Sequence, residues 1–484
     1  MNINAVIFDL DNTILDTSCL QQIRENHDVD ALNQALHTLE IHDAANRLIH
    51  FLCEKNIKLG IVTNSPRWYA ERILKHFNIF DFFHSIVTYN EVTYHGVKPS
   101  PTGIKKVLAD LEIVDPSTVI YIGDEGNDVI ASYNAGVLPV IGSWTNRLPL
   151  SDTPFGVLSY QLIKKHFPNL KNLGLLAENS AVDRRYSPIN KEAIFLPLDS
   201  NGNIISNPED LAIFCFGRYF SQKNEITARL HDNHKLSQDI FEKENAASNY
   251  SVPTYWNQIF SNLIKNVSSY PKSKIKQFDI VTVIPAKENK VKRLENMLEA
   301  IQHEHEGVQF LSELFYFEKG APSLKSLPKV QRLETLKKYL RVNSKYSSSI
   351  SGKNILILDD VITTGSTLKV SCELLIALGA NVVLGSCIAK TVSLQRDFKQ
   401  CPNCDSELIL RKNNSTHGRF WSCPYKNESG EYCGYTEGIK EKDCPHCGRA
   451  MYRRKNNSDG SLFLACSGYH NTPFCNYTES LEHP

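Results

Sequence analysis

Two things are missing from this sequence. No apolar run approaches the ~18 residues needed to cross a bilayer as a helix, so no helical membrane span is expected. Charge of one sign is also missing, since 53 Lys plus Arg balance 53 Asp plus Glu over 484 residues. That balance argues against a whole-chain nucleic-acid or membrane binder and leaves room for a local patch. The opening MNINAVIFDL carries neither a basic n-region nor a cleavage site, so it is expected to be a strand of the fold and not a signal peptide. Cysteine is sparse through most of the chain. Only Cys19, Cys53, Cys215, Cys372 and Cys387 precede residue 400, and eight more follow between Cys401 and Cys475. Scattered single cysteines suit a reducing compartment, and a cytoplasmic protein is expected. The dense terminal set needs a separate reason.

What is present reads as about three domains at roughly 100–200 residues each. Apolar runs at 5–10, 58–63, 118–123 and 138–141 alternate with helical patterns near 43–54, 66–77, 101–111 and 127–135. Strand and helix in alternation predict a parallel sheet covered on both faces. Residues 146–190 read as a linker. A second α/β pattern fills 191–395, with strands at 280–284, 355–358 and 382–386 and a helix at 366–378 stopped by Gly379. The last stretch is polar and has no helical period, and it is too small to bury a core of its own.

The first strand runs into VIFDLDNT, which puts Asp9 and Asp11 at its carboxyl end, two residues apart and therefore pointing the same way. Ligands of open α/β sheets bind outside the carboxyl ends of strands. GIVTNS ends in Thr63 and Asn64. VIYIGDEGND ends in Asp124, with Asp128 one turn on. Lys98 precedes Pro99 in GVKPS. In order and spelling these four pieces resemble the haloacid dehalogenase (HAD) superfamily, mostly phosphatases. The resemblance implies a Rossmann-like parallel-sheet domain over 1–145. Asp9 would be the nucleophile, Asp11 the acid and base, and Thr63 and Lys98 the phosphoryl-oxygen ligands, with Asn64 beside them in the catalytic set. Mg²⁺ would sit on Asp9, Asp11 and Asp124 with Asp128 in support. The segment between Asp16 and Asp43 is short, which implies a minimal cap and an open crevice.

The stretch ILILDDVITTGST drives two carboxylates into a hydroxyl-rich turn. Thr363, Thr364, Gly365, Ser366 and Thr367 at a helix start suit a phosphate, and Asp359 and Asp360 suit the two hydroxyls of a ribose. A sugar phosphate is the natural ligand. The spelling resembles the phosphoribosyl pyrophosphate (PRPP) motif of type I phosphoribosyltransferases, and 210–392 looks most like the ComF type. That resemblance implies a pyrophosphate loop in FDIVTVIPAKENKVKR, with Ala286 and Lys287 near the pyrophosphate and Mg²⁺ bridging it. A PRPP-binding fold that senses without transferring stays open.

In the tail, CPNC (Cys401, Cys404) is followed by Cys423 and Cys433, and CPHC (Cys444, Cys447) by Cys466 and Cys475. RKNNS recurs at 411–415 and 454–458, the same 43 residues apart as the CPxC pairs. This internal repeat predicts two Cys₄ zinc ribbons, 396–438 and 439–484, each holding one structural Zn²⁺. Disulfides are the alternative. The endings CGYTEG and CNYTES resemble the C-terminal zinc ribbons of type I topoisomerases. That resemblance implies single-stranded nucleic acid stacked on aromatics such as Phe420, Trp421, Tyr435, Phe463, Tyr469 and Tyr477. Arg411, Lys412, Arg453, Arg454 and Lys455 would meet phosphates. Ten Lys plus Arg against ten Asp plus Glu in residues 401–484 predict a weak or strand-selective binder. Protein contacts remain the other use of such ribbons.

The expectation is therefore a HAD phosphatase, a phosphoribosyltransferase-type α/β domain and two small Cys₄ zinc ribbons in one chain. Its function would be bifunctional nucleotide metabolism: Mg²⁺-dependent phosphate removal with PRPP-dependent phosphoribosyl transfer. The partners would be PRPP, a phosphorylated nucleotide or nucleic-acid end, and single-stranded nucleic acid. Two rivals are a nucleic-acid end-processing phosphatase and a PRPP-sensing DNA-binding regulator.

Overall fold

The computed structural model describes the whole chain except residues 1, 146–149, 151, 196–210, 223, 246–249, 270–274, 287–289, 323–328, 393, 395–400, 405, 407, 426–430 and 482–484. The described residues pack as two compact units, Met1–Ser221 with Arg229–Leu394, and Gln222–Ala228 with Gln395–Pro484.

The first unit opens with β1 (Ala5–Phe8), α1 (Gln21–Glu25), α2 (Val29–Leu36), α3 (Asp43–Glu54), β2 (Lys58–Val62), α4 (Arg67–His76), β3 (Ser85–Val87), α5 (Tyr89–Gly96), α6 (Thr102–Asp110), β4 (Val119–Gly123), α7 (Gly126–Ala135), β5 (Leu138–Gly142) and β6 (Gly156–Leu158). The sheet order is β3-β2-β1-β4-β5-β6, parallel throughout. Strand β1 reads AVIF and is buried at every position. Such an unbroken apolar strand needs cover on both faces, which is the condition of a parallel sheet. One face packs under α3, whose Ala45, Leu48, Ile49 and Leu52 form a buried helical stripe. The other packs under α6, through Ile104, Val107 and Leu108. The chain runs outward through β2 and β3 and returns at β4 beside β1. The strand order thus reverses between β1 and β4, where a crevice opens at their carboxyl ends.

The stretch 146–190, read as a linker, contributes to this sheet. Strand β6 pairs with β5, and α8 (Tyr160–His166) and α9 (Leu176–Asp183) follow. Its polar residues obscured a strand of only three residues.

The second sheet of the same unit uses β7 (Ala193–Phe195), β8 (Ile213–Cys215), β9 (Arg218–Phe220), α10 (Glu225–Asp232, of which Arg229–Asp232 belongs to this unit), α11 (Lys235–Asn245), α12 (Thr254–Asn266), β10 (Ile280–Val283), α13 (Arg293–Ile301) and β11 (Gln309–Leu311). The ribbon of β12 (Phe315–Phe317) and β13 (Leu340–Val342) flanks α14 (Lys329–Tyr339). Then come β14 (Asn354–Ile362), α15 (Ser366–Ala377) and β15 (Val382–Val392). The order is β11-β10-β14-β15-β8-β7, with β9 also on β15. All pairs are parallel except β7 with β8. The two sheets are joined by buried polar contacts. Arg218 binds Glu178 of α9 at 2.7 and 2.8 Å and donates to the hydroxyl of Tyr133 on α7 at 3.1 Å. Lys390 of β15 lies 3.3 Å from Asp152. Tyr133, Ile141, Leu150, Phe220 and Val392 form an apolar cluster around them.

The second unit contains two small antiparallel sheets. One is β16 (Ile409–Lys412), β17 (Arg419–Ser422) and β18 (Thr436–Gly438). The other is β19 (Lys442–Asp443), β20 (Ala450–Lys455), β21 (Leu462–Cys466) and β22 (Thr478–Ser480). Each has a core of a few residues built around its cysteines, such as Leu408 and Trp421 in the first and Met451 and Leu464 in the second. Among the described residues no helix is long and apolar enough to cross a membrane.

Candidate active sites and metal centres

Asp9 follows β1 directly and Asp124 follows β4, so adjacency of the two strands brings both carboxylates to one crevice. Asp128 reaches them from the first turn of α7. Ligand oxygens of Asp9, Asp124 and Asp128 all lie within 4.8 Å of one another, and all three side chains are buried. Gly123 makes this possible, because a Cβ there would come within 2.4 Å of Asp128 Oδ2.

One lysine enters the cluster. Lys98 Nζ sits 2.6 Å from Asp9 Oδ1, 2.6 Å from Asp128 Oδ1 and 3.0 Å from the Tyr121 hydroxyl. Burial works against its charge, but Asp128 and Asp9 hold its pKa well above the usual lysine range. Burial pushes the Asp9 carboxyl up. Lys98 pulls it back, and Asp128, Asp124 and Asp11 raise it further. Several carboxylates this close favour a bound cation.

Asp128 has little left to offer a metal. Its Oδ1 accepts from Lys98 and Tyr121, and its Oδ2 from the backbone N–H groups of Asp124 and Glu125, each at 3.1 Å. It therefore fits the supporting place, and Asp9 and Asp124 fit direct ligation of an oxygen-seeking cation such as Mg²⁺. Among the described residues Asn64 makes no hydrogen bond to Asp9, Asp11 or Asp128. Its amide group spans the Lys98 backbone, accepting from Lys98 N at 2.8 Å and donating to Lys98 O at 3.2 Å. It positions the lysine.

Asp11 lies at the mouth. Thr17 and Tyr69 donate to its Oδ1 at 2.8 and 2.9 Å, and Ser65 and Thr63 to its Oδ2 at 2.5 and 3.3 Å. Arg24 Nη1 stands 3.4 Å from the same Oδ2. Thr63 is thus beside Asp11, as the sequence implies. Ser65, Tyr69, Tyr121 and Arg24 carried no comparable motif signal.

In the second sheet, β14 does not end at Leu358 but continues through both carboxylates to Ile362. Val361 and Ile362 prolong the apolar run, and β15 pairs with them. Asp359 and Asp360 are therefore neighbours on an extended strand and face opposite ways. Asp360 is 3% exposed and is held by Arg293, the first residue of α13, with Nε at 2.6 Å and Nη2 closer still. Asp359 is the more open of the two. The turn Thr363–Thr364–Gly365 then leads into α15. Gly365 has φ +78°, a conformation that favours glycine. Thr364 Oγ1 and Ser366 Oγ lie 2.8 Å apart, Thr363 meets Thr391 at 3.3 Å, and Thr367 sits in the first turn of α15. Ala286 N donates to Glu295 Oε1 at 2.6 Å, so α13 joins the expected pyrophosphate loop to the acidic strand. Lys287 lies outside the described residues.

The eight terminal cysteines form the two predicted sets, Cys401, Cys404, Cys423, Cys433 and Cys444, Cys447, Cys466, Cys475. Sγ–Sγ separations are 3.4 and 3.6 Å in the first and 3.4 and 3.7 Å in the second. A disulfide needs about 2.05 Å. Four thiolates about 2.3 Å from a tetrahedral centre lie about 3.8 Å apart, so both sets fit Zn²⁺.

Trp421 is a correction. It is 6% exposed and packs with Leu408, Cys401 and Cys423, so it offers no face to a base. Strand alternation explains this, because Trp421 pairs with Leu410 on the inner face of its sheet. The outward face of that sheet carries Arg411 opposite Phe420, and that of the second sheet carries Arg454 opposite Phe463. Arg411, Lys412, Arg454 and Lys455 are exposed. Tyr469 and Phe474, 57% and 62% exposed, pair at 5.4 Å between ring centroids.

Comparison with known proteins identifies three parts. A model of haloacid dehalogenase-like hydrolases matches residues 21–141, one of phosphoribosyl transferase domains matches residues 264–421, and one of topoisomerase DNA binding C4 zinc fingers matches residues 441–484. The chain thus joins a HAD-like hydrolase segment, a phosphoribosyltransferase segment and a topoisomerase-type C4 ribbon. The first match starts after Asp9 and Asp11, which stand on geometry. Pyrophosphatase PpaX of Bacillus mycoides is 29% identical over 187 positions, covering 30% of this chain and 86% of the relative. Thirty per cent of 484 residues is fewer than 187, so part of that alignment has no counterpart here. Among solved structures, CbbY from Rhodobacter sphaeroides in complex with phosphate is 19% identical, with TM-score 0.26, covering 30% of this chain and 88% of that one. A HAD phosphatase from Thermococcus onnurineus is 22% identical, with TM-score 0.26, covering 29% and 86%.

Proposed function

We propose that this chain is a bifunctional enzyme of nucleotide metabolism, a Mg²⁺-dependent phosphohydrolase fused to a PRPP-dependent phosphoribosyltransferase. The observation that carries the first half is the buried set Asp9, Asp124, Asp128 and Lys98 at the reversal of strand order, with Asp11 at its mouth. Asp9 attacks phosphorus and becomes an aspartyl-phosphate, while Asp11 gives a proton to the leaving oxygen. Asp11 then takes a proton from the water that releases phosphate. Lys98 and Thr63 hold the phosphoryl oxygens, and Asn64 keeps Lys98 in place. Mg²⁺, when bound at Asp9 and Asp124 with the Asp11 carbonyl, supplies charge that offsets the developing phosphoryl charge.

In the second half, the Thr363–Thr367 turn takes the 5′-phosphate of PRPP and Asp359 reads the ribose hydroxyls. The loop of Ala286 and Lys287, with Mg²⁺, takes the pyrophosphate. The buried pairing of Asp360 with Arg293 leaves Asp359 as the ribose ligand, and the second reading is PRPP sensing without transfer. The ribbons hold two structural Zn²⁺ and bind single-stranded nucleic acid through Arg411, Lys412, Arg454 and Lys455 around Phe420 and Phe463.

The PpaX relatives are named pyrophosphatases, and phosphoribosyl transfer releases pyrophosphate. Inorganic pyrophosphate is therefore the first substrate to assay. Phosphate release from pyrophosphate, sugar phosphates and end-phosphorylated oligonucleotides, with Mg²⁺ and with chelator, tests the first half. No Mg²⁺-dependent release from any of them would end that reading. Pyrophosphate release from PRPP across a panel of bases separates transferase from sensor.

A further inference from the structure

The short segment between β1 and β2 places one cation beside the acid–base residue. Arg24 stands on α1, and its Nη1 lies 2.9 Å from Ser65 Oγ and 3.4 Å from Asp11 Oδ2. Its guanidinium lies 5.8 Å above the Tyr69 ring, and Tyr69 itself donates to Asp11. Ser65 Oγ donates to Asp11 Oδ2 and accepts from Arg24, so the three groups are fixed relative to one another. Both Arg24 contacts use Nη1. Nε and Nη2 meet no acceptor among the described residues, and the side chain is 32% exposed. The other cations of this region are committed. Lys98 is enclosed by Asp9 and Asp128, and Arg67 is bound by Glu91 at 2.8 Å, Glu71 at 3.2 Å and the Ile86 carbonyl at 2.6 Å.

The role of Arg24 rests on the phosphohydrolase reading, in which Asp11 touches the oxygen of the leaving group. Arg24 therefore stands beside the group that meets the leaving oxygen, while Lys98 is held by Asp9 and Asp128. A sugar or other alcohol offers a guanidinium fork only neutral hydroxyl acceptors. A leaving phosphate gives it charge and two oxygens in the geometry that Nε and Nη2 present.

We infer that Arg24 is a specificity-determining residue that selects phosphoanhydrides, substrates whose leaving group is itself a phosphate, with inorganic pyrophosphate as the smallest. An Asp9 oxygen forms the new bond to phosphorus as the bond from phosphorus to the bridging oxygen breaks. The bridging oxygen departs with the second phosphate, its charge met by Arg24 and by the proton from Asp11. Water then attacks the aspartyl-phosphate and returns a proton to Asp11. One pyrophosphate and one water give two phosphates. A phosphoribosyl transfer on the same chain is a reaction of the class that supplies this substrate.

The test compares kcat/KM for pyrophosphate and for ribose 5-phosphate in the full-length protein with Mg²⁺. Wild type should favour pyrophosphate. Arg24→Met should lower the pyrophosphate-to-ribose-5-phosphate ratio by about 30- to 100-fold, the loss expected for a charge-assisted pair, and Arg24→Lys should recover part of it. An unchanged ratio in Arg24→Met, or a wild-type preference for ribose 5-phosphate, overturns the role of Arg24 and leaves the phosphohydrolase standing. Hydrolysis of neither substrate overturns the role of Arg24, and phosphate release from the end-phosphorylated oligonucleotides then decides the phosphohydrolase.

Discussion

Replacing Lys98 by methionine keeps the unbranched shape of the side chain and most of its apolar stem, and removes the cation from a buried acidic cluster. The ammonium is within 2.6 Å of both Asp9 and Asp128, and its side chain is 4% exposed. Taking one partner from a buried ion pair costs about 3–5 kcal/mol, because the other charge is left uncompensated. Two carboxylates share this lysine, so the simple sum would be about twice that. The cluster can limit the loss by taking up a proton, and Asp9 is already pushed up by burial and by its acidic neighbours. The net loss expected is about 4 kcal/mol. For a segment of this size that lowers Tm by roughly 8–16 °C. Calorimetry in EDTA at neutral pH is the assay, tracking the transition that moves in the variant. Adding millimolar Mg²⁺ should then return part of the lost stability, since a dication bound by the native cluster stabilises it by mass action. An unchanged Tm in EDTA would refute the reasoning, because the carboxylates would then not depend on Lys98 for charge.

Three other perturbations have defined outcomes. Burial pushes the Glu178 carboxyl up, but the Arg218 charge and hydrogen bonds, with His234, hold it down at about 2. Stability from this pair is present above the unfolded carboxylate range and is lost as pH falls from about 4.5 through 2, an effect of about 3 kcal/mol; urea titrations across that range should show the slope, and Glu178→Gln should flatten it. Calorimetric titration with PRPP should lose its binding signal in the Asp359→Ala, Asp360→Ala double variant while phosphate release stays intact, and unchanged PRPP affinity would remove the ribose assignment. Full-length protein purified under reducing conditions should hold two Zn²⁺ per chain by elemental analysis, and chelation should shift tryptophan emission to the red as Trp421 leaves the ribbon core; metal content near zero would remove the ribbons.

Much of the first site was legible because each part ends a strand or starts a helix. Asp9, Asp11, Thr63, Asp124 and Asp128 sit where chain direction forces them into one crevice, and a local apolar run marks each place. Arg24, Tyr69 and Tyr121 had no such mark. Arg24 reaches Asp11 from a five-residue helix, and the Tyr121 hydroxyl reaches Lys98 and Asp128 from inside a strand; both meetings are tertiary. The carboxylates of β14 read as a strand end because they lead into a hydroxyl-rich turn suited to a phosphate. Arg293, 67 residues earlier, makes Asp360 compatible, and no local pattern announces that pairing. Trp421 shows the limit of composition. An aromatic before a cysteine read as a stacking platform, yet the two-residue period that places Leu410 inward places Trp421 with it. The cysteine spacing was complete in itself, because four cysteines at fixed intervals mark a candidate zinc set without help from the rest of the fold.

The most direct test of the phosphohydrolase is phosphate release by Asp9→Asn beside wild type, with pyrophosphate and Mg²⁺. The amide has the volume of the carboxylate but is a poor nucleophile and a weaker metal ligand. Wild type should release phosphate only with Mg²⁺, and Asp9→Asn should fall by about 10³-fold or more, the scale of losing a nucleophile that acts as part of a unit. Release from Asp9→Asn at the wild-type rate would contradict an aspartyl-phosphate at Asp9 and the chemistry built on it.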